Sequence, residues 1–149
     1  MLTLYEIDFH KKCESRVGKS KVLKIIFLST HVYETFKSFV NVSRFIGSGN
    51  IAHNLRLSME RLRTGDTRPY DWAVEFDNWA KEKIASRDFQ TLVTYEKAGE
   101  VGKLAVPTTD HYIPMLYSLG LAGEKEEIKQ TYEEVTLGGI SMRTFQVGV

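Results

Sequence analysis

A single cysteine, Cys13, and only three prolines occur among 149 residues. One thiol cannot close an internal disulfide, and no cysteine-based zinc or iron–sulfur site can be built from it. A reducing, cytoplasmic compartment is the expectation. No apolar run approaches the roughly 20 residues of a membrane span, and the first ten residues turn polar too soon for a signal peptide. No membrane partner is expected. A surplus of one charge is also missing: 20 basic side chains face 19 acidic ones, which argues against a nucleic-acid partner held by bulk charge. No complete Walker pattern and no Gly-x-Ser-x-Gly elbow occurs. What is present is the composition of an ordinary globular chain, 42% apolar and 26% charged, at a length that fits a single domain.

Hydrophobic spacing predicts an α/β domain. Residues 22–28, Val-Leu-Lys-Ile-Ile-Phe-Leu, read as a buried strand, and 31–40 read as a helix. Val40, Val42, Phe45 and Ile46 suggest a strand running into the turn-like Gly47-Ser48-Gly49-Asn50. Ile51, Leu55, Met59 and Leu62 are spaced for a short helix, followed by an exposed loop at 63–69. The clearest helix carries Trp72, Phe76, Trp79 and Ala80 on one face, pairs Asp77 with Lys81 and ends near Ser86. A further helix is expected at 89–97, then a loop at 98–103. Thr108 and Thr109 are read as caps of a buried helix containing Ile113, Met115, Leu116, Tyr117 and Leu119. Residues 124–134 form a charged stretch of undefined form, and 140–147 a terminal strand after Gly138-Gly139.

Two of the four histidines stand out by position. His53 follows the glycine turn, and His111 is placed just inside a helix start, where the positive dipole end favours the neutral, metal-binding ring. A lone histidine at such a position is ordinarily a surface or capping residue. Residues 47–52 also satisfy Gly-x-Gly-x-x-Ala, from Gly47 through Gly49 to Ala52, between an expected strand and an expected helix, which offers a nucleotide-binding reading. The acidic strand end needed some 20 residues later for a ribose is replaced by the polar loop at 63–69.

Four separated motifs resemble the 4,5-DOPA extradiol dioxygenases, class III ring-cleaving enzymes. They are Gly-Ser-Gly-Asn-Ile-Ala-His-Asn-Leu-Arg at 47–56, Tyr-Asp-Trp-Ala at 70–73, Pro-Thr-Thr-Asp-His-Tyr-Ile-Pro-Met-Leu-Tyr at 107–117, and the ending at 140–148. The resemblance covers 46–149. It implies an α/β fold, a mixed sheet flanked by helices, like the C-terminal half of that enzyme fold. It further implies ring opening of a catechol-type aromatic with O2 at a non-haem Fe(2+) or Zn(2+) site. By resemblance His111 is a metal ligand, His53 is the acid/base of ring cleavage or a further ligand, and Asn54 is a contact to substrate or to the ligands.

The departures are equally specific. The family's His-Gly-Ser-Pro motif is missing, and Ser29-Thr30-His31 only faintly echoes its Ser-Ala-His-Trp. Residues 1–45 diverge from the family and carry a net charge of +4 against −3 for the remainder. The expectation is a single, incomplete α/β domain over 1–149, whose unpaired sheet edge invites a homo-oligomer. Three readings stay open: an active dioxygenase completed by His31 or a partner chain, a catalytically incompetent remnant that still binds metal weakly, and a nucleotide-binding module.

Overall fold

The computed structural model describes residues 46–148. The strand expected at 22–28, the helix at 31–40, Cys13, His10 and His31 lie outside the described residues. Ile46 is exposed and belongs to no strand.

Helix α1 (Leu55–Thr64) begins where the Asn54 side chain accepts a hydrogen bond from the Leu57 amide at 3.1 Å. That side-chain oxygen satisfies one of the amides left open at a helix start. The helix ends at Gly65, whose φ of 69° suits a residue without a Cβ. It starts four residues later than Ile51, and its apolar spacing does not mark its buried face. Leu55, Met59 and Leu62 are all exposed, while Ser58 is buried. The small serine faces Gly139, where an added Cβ would lie 3.2 Å from the Ser58 hydroxyl. Close approach of two backbones thus decides which face turns inward.

Helix α2 (Asp71–Ala85) buries Ala73, Phe76, Asp77, Ala80 and Ile84, with Trp72 and Trp79 packed at the margins of the core. The expected Asp77–Lys81 pair does not form. Asp77 faces inward to Arg143, and Lys81 reaches Glu133 at 2.7 Å. The helix expected at 89–97 is broken into α3 (Phe89–Val93) and a 3-10 turn (Tyr95–Ala98). The buried Tyr112 hydroxyl donates to the Leu92 carbonyl at 3.0 Å, satisfying a group at the point where regular helix stops. The loop expected at 98–103 is instead mostly helix α4 (Glu100–Ala105). Gly102 weakens the helix signal in the sequence, yet it lets α4 press against the Tyr95 carbonyl, which an added Cβ would meet at 2.4 Å.

Helix α5 (Ile113–Gly120) has Pro114 in its first turn and no side-chain cap, so the threonine caps are not used. The Thr109 carbonyl instead accepts from the Tyr112 and Ile113 amides, at 3.0 and 2.9 Å. Its burial is one-sided, with Met115 and Leu119 in the core and Tyr117 exposed.

Among the described residues, four short strands make two antiparallel pairs. β1 (Ile128–Tyr132), within the charged stretch, pairs with β4 (Thr144–Val147), and β2 (Val135–Thr136) pairs with β3 (Ile140–Ser141). The β2–β3 turn places Gly138 at φ 77°. The terminal strand expected at 140–147 is therefore divided at Met142–Arg143, where the Arg143 side chain turns inward to Asp77. No parallel pairing occurs among the described residues, so the sheet is not mixed there, although the mixture of helices and small sheets is consistent with an α/β class. The core of Ile51, Ala52, Phe76, Ala80, Ile84, Leu92, Ala105, Val106, Tyr112, Met115 and Leu119 includes the two residues immediately before His53 and the one immediately after His111. Among the described residues, no helix is long and apolar enough to cross a membrane.

Candidate metal centre

His53 sits on an extended segment between the core residues Ile51 and Ala52 and the start of α1. Its amide donates to the Ala105 carbonyl at 2.8 Å, and the residue bridges antiparallel to Ile140 of β3. His111 lies in the turn two residues before α5 rather than inside the helix start. These separate routes bring the two imidazoles face to face, with ring centroids 3.7 Å apart and planes inclined by 22°. Both residues are half-buried. The His53 ring is held below the ordinary histidine pKa, first by burial and next by the charge of His111, with the Asp110 carboxylate opposing. It therefore presents a neutral ring near neutral pH.

The geometry can be tested against a divalent cation. Two imidazole nitrogens on one tetrahedral zinc at about 2.0–2.1 Å lie roughly 3.3 Å apart. The observed 3.7 Å separates the centroids of stacked rings, whereas imidazoles on one ion bind edge-on and splay apart, so the two rings would have to turn out of the stack to share a cation. A catalytic zinc ordinarily takes three protein ligands, whereas among the described residues no group of three His, Cys, Asp or Glu side chains is placed to hold an ion. The described segment thus brings two histidines together without a complete ligand set.

Asn54 is buried and its carboxamide is engaged within the fold. Besides capping α1, it donates to the Leu104 carbonyl at 2.8 Å. Both bonds tie its side chain to backbone atoms on either side of the His53 segment. The glycines at 47 and 49 also have a packing role. An added Cβ at Gly49 would lie 2.1 Å from the His111 carbonyl oxygen, and one at Gly47 would lie 2.7 Å from that of Pro114. The Asn50 amide donates to the His111 carbonyl at 2.9 Å, so this donor of the expected nucleotide turn is already satisfied. Sequence reasoning overlooked Asn50 and Ser141, because their importance lies in contacts with distant backbone.

Over the matched segment, the chain fits a class III extradiol dioxygenase-like family. A protein of Escherichia coli (strain K12) named 4,5-DOPA dioxygenase extradiol is 36% identical over 106 residues, covering 69% of this chain and 38% of the relative. A protein of the same name from Portulaca grandiflora is 32% identical over 109 residues, covering 66% of this chain and 36% of its own length. The crystal structure of an uncharacterised Escherichia coli K12 protein aligns with a TM-score of 0.60 at 36% identity, covering 68% of this chain and 41% of that one. The chain thus spans little more than a third of the curated relatives it matches. No protein-family model matches it.

Proposed function

We propose that His53 and His111 form part of a metal-dependent extradiol dioxygenase site that opens a catechol-type aromatic ring with O2. The observation that carries this reading is the convergence of the two imidazoles. The names of the relatives supply the reaction class. His53 and His111 would hold Fe(2+) or Zn(2+) through ring nitrogens. In this chemistry, bound ferrous ion supplies the electron coupling between catechol and dioxygen. Beside it, His53 has the protonation range to take the catechol proton and return one to the leaving oxygen, provided its nitrogen is not itself coordinated. Asn54 holds the His53 segment against α4.

The test is oxygen uptake by the purified chain with added Fe(2+) and either L-DOPA or protocatechuate, alongside metal analysis of the same sample. Metal-dependent oxygen consumption that disappears in His111→Ala supports the proposal. A second reading, a remnant that binds metal without turnover, is favoured by the presence of only two converging histidines among the described residues. Bound metal with no oxygen uptake would establish it. Dinucleotide binding with neither metal nor catechol bound would overturn both.

A pH dependence follows from the depressed His53 pKa. As pH falls, the unfolded chain takes up this proton near the ordinary pKa of about 6.5, before the native chain does. Stability therefore falls as pH drops through that value and continues to fall until native His53 is protonated. The urea midpoint of metal-free protein should be lower at pH 5 than at pH 8, and the difference should shrink in His53→Gln. Equal differences in the two proteins would remove His53 as the cause.

A further inference from the structure

We propose that Asn50 is a positioning residue that sets the spacing of His53 and His111 before any ligand arrives. The proposal rests on the reading of those histidines as a cation site and adds the device that keeps the two residues next to each other. The Asn50 amide donates to the carbonyl of His111 itself, at 2.9 Å. Its side-chain Nδ2 donates to the Ser141 carbonyl, also at 2.9 Å, with a weaker contact to the Met142 sulfur at 3.6 Å. Ser141 in turn donates its amide to the Ala52 carbonyl at 3.0 Å, and the adjoining Ile140 bridges to His53. One residue thus ties the turn bearing His111 to the strand that aligns His53.

Gly49 makes this tie possible. With an added Cβ only 2.1 Å from the His111 oxygen, any side chain there would force the 47–50 segment away from the turn. The pattern that looks like a nucleotide fingerprint in the sequence thus serves as a clamp. Its loss would let the two rings drift apart while leaving both histidines in the chain, and ligand affinity depends on such outer partners by about 10–100-fold.

The experiment compares the full chain with Asn50→Ala, Asn50→Asp and His111→Ala. Zn(2+) affinity is measured by chelator competition, and the ring-to-ring nuclear Overhauser contact between His53 and His111 is measured without metal. Asn50→Asp keeps the side-chain size but removes the donor and sets a carboxylate against the Ser141 carbonyl. It serves as the test variant if the alanine form does not fold. Both Asn50 variants are expected to bind zinc about 10–100-fold more weakly and to lose the ring contact, while circular dichroism stays native. Native affinity together with an intact ring contact in a folded Asn50 variant would overturn the proposal. If the unaltered chain binds no zinc, the metal reading fails. The ring contact in metal-free protein then decides the positioning role by itself: its loss in the variants supports the role, and its persistence overturns it.

Discussion

Asp77→Ala is expected to lower the unfolding free energy by about 3–5 kcal/mol, measured by urea denaturation, because it leaves a buried guanidinium without its carboxylate. The Arg143 side chain is 1% exposed and that of Asp77 7%. Arg143 Nε donates to one carboxylate oxygen at 3.0 Å and Nη2 to the other, a two-pronged match suited to the planar guanidinium. The Ser141 hydroxyl donates to the same carboxylate at 2.6 Å. Gln130 and Glu133 also meet the guanidinium, but Glu133 is 43% exposed and its attraction is screened by solvent. Replacing both partners, as in Asp77→Leu with Arg143→Met, should be far less damaging than the single change, since the desolvation cost disappears with the charges. Equal losses in the single and double variants would refute this account. Because Ser141 belongs to the strand that brackets the His53 segment, the single variant should also weaken metal binding.

That network shows why part of the fold is legible in the sequence and part is not. Helix α2 announces itself through Trp72, Phe76 and Ala80 at helical spacing, and it ends beside Ser86 as expected. The same local rule misassigns Asp77. An i,i+4 reading sees Lys81, whereas the actual partner, Arg143, lies at the far end of the chain. The division of the terminal strand follows from that pairing and carries no local signal. Helix α4 is hidden by Gly99 and Gly102, which read as loop residues until the Tyr95 carbonyl is seen against the second of them. Leu55, Met59 and Leu62 have the spacing of a buried stripe but stand exposed, because Ser58 is the residue that permits close packing. At the candidate site, the proximity of His53 and His111 cannot be obtained from their spacing. Motif resemblance singled them out together, and the fold supplies the geometry through contacts of Asn50 and Gly49 that involve mainly backbone atoms.

His111→Ala should separate binding from folding more cleanly than any other single change. Its contribution to the clamp is a backbone carbonyl, which alanine retains, so the Asn50 bond survives. The half-buried side chain leaves no charged partner stranded, and the unfolding free energy should change by no more than about 1 kcal/mol. Zinc affinity, by contrast, should fall by more than about 100-fold, beyond the loss expected when only an outer partner of a ligand is removed. Any Fe(2+)-dependent oxygen uptake should disappear with it. The variant also has a signature in metal-free protein. Burial is the first cause of the depressed His53 pKa and the charge of His111 the second, so deleting the neighbour should raise the His53 value. A histidine titration followed by NMR measures this directly. An unchanged His53 titration, combined with native zinc affinity, would mean that the stacked rings do not act as a pair.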